Sequence, residues 1–203
     1  MRKRLRLGIM GGTFDPIHYG HLVTAEEALV QFNLDRVVFM PTGRPARKAG
    51  REVSSAEHRY LMTVIATASN PDFMVSRIEV DRPGVTYTVD TVLELRRMYG
   101  PEAELYFITG ADAVLDIVTW KDSGSLADVC TFIAATRPGH DISDFSDRAA
   151  AANLTVELME VPALAISSSD IRTRIAGRQP VRYLLPEAVA AYAHKNGLYR
   201  GSS

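Results

Sequence analysis

The sequence predicts an α/β protein with an open, largely parallel sheet and helices on both faces, and three observations lead there. Apolar runs of strand length recur at residues 5–10, 36–40, 73–80, 104–109, 131–136 and 155–162. Segments with helical spacing stand among them, at residues 20–32, 55–69, 89–98, 169–176 and 186–195. No internal repeat, low-complexity tract or Ser/Gly linker divides the chain, so residues 1–203 read as one domain. Alternation of this kind implies parallel strands, because parallel neighbours need a crossover long enough to hold a helix. Ligands of such sheets sit at the carboxyl ends of the strands, where the strand order reverses. Functional residues are therefore sought where strands end.

Composition narrows the function classes. Lys plus Arg number 23 and Asp plus Glu 24, a net charge of −1, which argues against a general nucleic-acid coat or a polybasic membrane binder. Cys130 is the single cysteine, so no disulfide can form within the chain, as suits a reducing cytoplasm. Met1-Arg2-Lys3-Arg4 is basic enough to open a signal peptide, but Arg6 and Gly8 break the apolar run that follows. No apolar span of about 18 residues, the length a bilayer needs, is present. The expectation is a soluble, unprocessed, cytoplasmic protein with no nucleic-acid or membrane partner; the sequence leaves self-association open.

The first strand runs directly into Gly11-Gly12-Thr13-Phe14-Asp15-Pro16-Ile17-His18-Tyr19-Gly20-His21-Leu22. Two glycines after a strand allow a sharp turn and a close ligand approach to the backbone N–H groups. No Gly-Lys-Ser/Thr follows, and the G-x-G-x-x-G spacing is absent, so neither familiar phosphate loop is present. His18 and His21 stand three apart and share one face of a helical first turn. A packed histidine pair is one reading and half of a zinc site another. Zinc needs further ligands, while His58, His140 and His194 are scattered through the chain. Two imidazoles at a helix N-terminus suit an anion better, and a phosphate chain is the preferred ligand.

Along the next elements, Ser54 and Glu57 have capping-box spacing and mark the start of the second helix. Pro45-Ala46-Arg47-Lys48 follows the second strand as a basic loop whose Gly43, Pro45 and Gly50 suit a mobile lid. Thr86-Tyr87-Thr88-Val89-Asp90-Thr91 enters the third helix, with Thr88 as its expected cap. Gly110-Ala111-Asp112 ends the fourth strand, and Arg137-Pro138-Gly139 ends the fifth. Trp120 is the only tryptophan, and alone it reads more readily as core than as a ligand platform. Cys130 lies in an apolar run and reads as inert core. Near the far end, Ile166-Ser167-Ser168-Ser169-Asp170-Ile171-Arg172 opens a helix with capping serines. Arg172 in the first turn opposes the helix dipole unless an anion sits beside it. The late segments Tyr183-Leu184-Leu185-Pro186-Glu187 and Leu198-Tyr199 read as packing.

Residues 11–22 resemble the signature of the bacterial nicotinate-nucleotide adenylyltransferases, within the superfamily whose H-x-G-H element grips the phosphates of ATP. The segment from Ile166 to Arg172 is similar to that superfamily's I-S-S-T-x-I-R element, with Ser169 keeping the hydroxyl of the usual Thr. Residues 45–48 resemble the P-P-H-K loop, departing at Ala46 and Arg47 and keeping Lys48. The T-Y-T-x-D-T and G-A-D elements also have counterparts here.

The resemblance implies a Rossmann-like fold of the nucleotidyltransferase type. It also implies an enzyme of NAD biosynthesis that joins ATP and nicotinate mononucleotide, with Mg²⁺ carried on the ATP phosphates. Carried over residue by residue, His18, His21, Lys48 and Arg172 become catalytic. Gly11, Gly12, Thr13, Phe14, Gly110, Asp112, Ile166, Ser167, Ser168 and Ser169 join His18, His21 and Arg172 around ATP. Lys48, Thr86, Tyr87, Trp120 and Arg137 meet the mononucleotide, with Trp120 stacked on the pyridine ring and Thr86 near the nicotinate carboxylate. Phosphopantetheine adenylyltransferase shares the two phosphate elements and is the alternative enzyme, although it lacks the T-Y-T and Trp signals. A catalytically silent nucleotide sensor would keep the fold but lose a phosphate ligand.

Overall fold

A computed structural model describes residues 4–45, 53–111, 126–136, 149, 154–162 and 164–200. In chain order the described elements are β1 (Arg6–Gly12), α1 (Tyr19–Gln31), β2 (Arg36–Pro41), β3 (Arg44–Pro45), α2 (Ala56–Thr67), β4 (Phe73–Val75), α3 (Ile78–Asp81), β5 (Val85–Thr86), α4 (Thr88–Tyr99), β6 (Glu104–Gly110), β7 (Thr131–Thr136), β8 (Val156–Glu160), α5 (Ser168–Ala176) and α6 (Glu187–Lys195). Six strands form one sheet in the order β4-β2-β1-β6-β7-β8, and β3 and β5 pair separately. Every pairing is parallel; Ile9 of β1, for example, stands between Val38 of β2 and Phe107 of β6.

The strands are apolar on both sides, as a sheet covered on both faces requires. Leu7, Ile9, Val38, Met40, Leu105, Phe107, Phe132 and Ala134 pack with Val89, Val92 and Leu95 of α4. The alternate residues Met10, Val37, Phe39, Tyr106, Ile108 and Ile133 pack with Ala25 and Ala28 of α1, Met62 of α2, Ile171 of α5, and Val189 and Ala193 of α6. The period-two division places α4, with Ile78 of α3, on one face and α1, α2, α5 and α6 on the opposite one. The strand order reverses between β1 and β6, so the carboxyl ends Gly12 and Gly110 flank the expected crevice.

Several boundaries differ from expectation. The strand expected over residues 73–80 ends at Val75. There the Ser76 hydroxyl accepts the N–H of Ile78 and starts the helical turn α3, which Arg77 steadies through Asp81. Gly11 and Gly12 belong to β1 and make no turn of their own. A side chain at Gly12 would collide with the Phe14 ring, its Cβ only 2.7 Å from that ring's nearest atom. The left-handed backbone falls instead on Phe14, with φ of 51°. Ser55 rather than Ser54 caps α2, accepting the N–H of His58, and Tyr87 rather than Thr88 is the cap residue of α4. Among the described residues no helix is long and apolar enough to cross a membrane. Cys130 is buried, and burial pushes its thiol up to about 12, which keeps it protonated and inert.

Candidate functional site

The signature loop is built from a buried turn. Phe14, Asp15, Ile17 and His18 are each almost wholly enclosed. The Phe14 ring packs against Phe39 on one side and edge-on against His21, with centroids 5.1 Å apart. His18 is the extended residue just before α1, and its ring stacks on that of His21 at 3.7 Å. His21 Nδ1 accepts the His18 backbone N–H at 3.2 Å. That hydrogen bond leaves the proton of neutral His21 on Nε2. His18 Nδ1 is buried without a hydrogen-bond partner, and burial pulls the His18 pKa down from 6.5 to about 4. The ring is therefore neutral at pH 7. Gly20 packs closely under the same pair, since a Cβ there would sit 3.0 Å from two atoms of the His18 ring and press on it.

Residues more than 150 positions away close on this loop. The Ser168 hydroxyl donates to the Pro16 carbonyl at 2.9 Å, and Arg172 donates to the Asp15 carbonyl at 2.8 Å. A second Arg172 nitrogen reaches the Ser169 hydroxyl at 3.3 Å. The Ser167 hydroxyl caps α5 by accepting the Asp170 N–H. Ser168 and Ser169 occupy the first turn, where backbone N–H groups have no partner within the helix. The starts of α1 and α5 thus converge, and Arg172 is tied to the loop rather than solvated. The start of α1 contributes rings more than amides, because the Tyr19 N–H is taken by the Leu184 carbonyl at 3.1 Å. Ile166 is half-buried behind Gly20.

Thr86 lies on β5, buried, and its hydroxyl has no hydrogen-bond partner. It borders Gly43, whose close approach to the Glu79 carbonyl leaves no space for any side chain. Tyr87 follows, partly exposed at the start of α4, and Gly110 is exposed at the end of β6. Lys48, Asp112, Trp120 and Arg137 lie outside the described residues.

Arg59, absent from the residues that the sequence nominates, joins these regions. It is 1% exposed and donates to the carbonyls of Thr13, Thr42, Gly43 and Ser54. Its signal was present: an arginine on the buried stripe of α2, in register with Met62, Thr63 and Thr67. Tyr199 was read as packing, yet its hydroxyl donates to Asp15 Oδ1 at 2.6 Å. No local pattern marks that contact. Among the described residues no group of three or more His, Cys, Asp or Glu could hold a metal ion.

A cytidylyltransferase-like family model matches residues 9–174. The chain is 59% identical over 201 residues to a probable nicotinate-nucleotide adenylyltransferase of Moorella thermoacetica, covering 96% of this chain and 92% of that protein. A protein of the same description from Streptomyces coelicolor is 57% identical, with 95% of this chain and all of the relative covered. In fold the chain is similar to the Plasmodium falciparum nicotinic acid mononucleotide adenylyltransferase complexed with NaAD. That likeness has a TM-score of 0.78 at 20% identity, over 97% of this chain and 98% of that one. The shared description of the relatives separates the two enzyme readings that the phosphate elements alone left open. The chain belongs to the nicotinate-nucleotide adenylyltransferases of the cytidylyltransferase-like family.

Proposed function

We propose that the converging starts of α1 and α5 hold the triphosphate for the adenylyl transfer of this family, in which ATP and nicotinate mononucleotide give nicotinate adenine dinucleotide and pyrophosphate. The observation that carries the reading is the junction itself: Ser168 on Pro16 and Arg172 on Asp15, beside the stacked pair His18 and His21. The attacking atom is a phosphate oxygen, already ionised at neutral pH, so the step needs no general base. It needs in-line placement of two mutually repelling anions and neutralisation of charge on the departing pyrophosphate.

His18 and His21 donate to the phosphates as charge develops. The His18 ring, which burial keeps neutral, has one N–H to donate. The start of α5, with Ile166, Ser167, Ser168, Ser169 and Arg172, holds the leaving group, and Lys48 assists from its loop. Gly11, Gly12, Thr13 and Phe14 lie against the nucleotide through their backbone, and Gly110 and Asp112 border ATP from the neighbouring strand end. Thr86, whose buried hydroxyl lacks a partner, takes the nicotinate carboxylate, with Tyr87, Trp120 and Arg137 around the rest of the mononucleotide. The donor-rich set at the α1–α5 junction fits Mg²⁺ that arrives on the ATP phosphates rather than in a carboxylate cage. When bound there, Mg²⁺ would neutralise phosphate charge.

Pyrophosphate release with ATP and each acceptor in turn tests the reading. Turnover is expected with nicotinate mononucleotide in excess of nicotinamide mononucleotide, and none with phosphopantetheine. Faster turnover with phosphopantetheine would overturn it. Trp120→Ala is expected to raise the mononucleotide KM with ATP saturating, and an unchanged KM would remove the stacking role.

A further inference from the structure

The turn that leads to His18 is strained and held from both sides. Phe14 takes a left-handed backbone conformation that bulky residues seldom adopt, so neighbouring contacts must enforce it. On one side Arg59 fixes the Thr13 carbonyl at 2.9 Å. On the other stands Asp15, 3% exposed, gripped from three distant segments. Its carbonyl accepts from Arg172, its Oδ2 accepts the Ser54 N–H at 3.4 Å, and its Oδ1 accepts the Tyr199 hydroxyl at 2.6 Å. Ser54 is itself held twice, because its carbonyl accepts from Arg59. Tyr199 also has a left-handed backbone, with φ of 63°, four residues before the end of the chain.

We propose that Tyr199 is a positioning residue of the adenylyl-transfer site, acting through Asp15 to hold the turn that places His18. The proposal rests on the reading of His18 given above. The hydroxyl is a dependable donor, since burial, and next the hydrogen bond to Asp15, push its ionisation well above the ordinary tyrosine range. A donor to a buried carboxylate is costly to lose, because the charge is left short of a partner where water does not reach it. Relaxation of Asp15 would release the turn at its far anchor, three residues before His18. A displacement of about 1 Å at such a point can cost up to 10²-fold in rate.

Tyr199→Phe keeps the ring and removes only the hydroxyl. It is expected to lower kcat about tenfold, within that limit, while the KM for nicotinate mononucleotide stays within about twofold, because no mononucleotide contact is touched. Tyr199→Leu, which also removes the ring, is expected to lower kcat to the same level as the Phe variant. Both are assayed well below their melting temperatures. If the Phe variant turns over like the parent and only the Leu variant fails, the residue merely fills space and the proposal is wrong.

A double-mutant cycle tests the route. In an Asp15→Asn background, Tyr199→Phe is expected to add little further loss; additive losses would mean that Tyr199 does not act through Asp15. A parent protein that makes no nicotinate adenine dinucleotide would instead strike at the functional reading, so the two failures are distinguishable.

Discussion

The start of α1 and the ground beneath β3 and β5 are both rich in buried polar groups, but they satisfy them differently. Around Glu79 the groups close upon one another. The Thr91 hydroxyl donates to Glu79 at 2.8 Å and accepts from Arg82, which pairs with Glu94. Around His18 the protein supplies the scaffold and leaves bonding capacity unused: a buried imidazole nitrogen without a partner, and a helix start with serine N–H groups at its tip. A closed network stabilises one arrangement, whereas an incomplete one sustains a cost that a ligand can relieve. Thr86 is the exception within the second region, as its hydroxyl is also unsatisfied. Within these two regions the incomplete places are those that the functional reading assigns to phosphate and to carboxylate; Arg6 Nε, also buried without a partner, lies on β1 outside both.

The largest effect is expected at His18. His18→Ala is expected to spare folding and reduce turnover by about 10²–10³-fold, as for other preorganised donors. A steady-state rate equal to the parent's would remove His18 from the mechanism. The same variant has a signature in stability. With its folded pKa near 4, His18 binds a proton more readily in the unfolded chain, so its contribution is complete above pH 6.5 and is lost as pH falls towards 4. Denaturant titrations of the Ala variant should show a weaker loss across that window.

Glu79 gives the opposite sign. Burial raises its carboxyl from 4.5 to about 7, against the hydrogen bond from Thr91 and the charges of Arg82 and Arg59. The folded state therefore binds the proton more tightly, and stability declines as pH rises from 4.5 through 7. Glu79→Gln should remove this dependence, with a difference of up to about 3 kcal/mol between pH 4 and pH 8. Parallel stability curves for variant and parent would contradict the assignment.

Two smaller effects are expected at the helix starts. Gly20→Ala pushes a Cβ against the His18 ring and should reduce turnover by roughly tenfold with little change in melting temperature. An unaffected rate would show that the ring position tolerates the push. Ser167→Ala removes the α5 cap and should lower stability by about 1 kcal/mol, measurable by urea unfolding.

The structure brings together much of the candidate site that the sequence nominates. His18, His21, the serines and Arg172 each stand at a helix start, a local relationship spanning a few residues, and the family resemblance singles them out from ordinary helix caps. Arg59 left a fainter trace as a charge on an apolar stripe. The boundary at Val75 is less legible: Ile78 and Val80 continue the apolar character of residues 73–75 past Ser76 and Arg77, and the Ser76 hydroxyl marks the change to a helical turn.

What the sequence determined alone is the alternation of strand and helix, the apolar character of both sheet faces, and which helix tips carry donors. These follow from spacings of two to four residues, over which backbone geometry repeats. The tertiary structure decided that the two donor-bearing tips meet, that Arg59 gathers four carbonyls, and that Tyr199 reaches Asp15 across 184 positions. Such contacts depend on strand order and on the path of the chain through space, and no local periodicity encodes either.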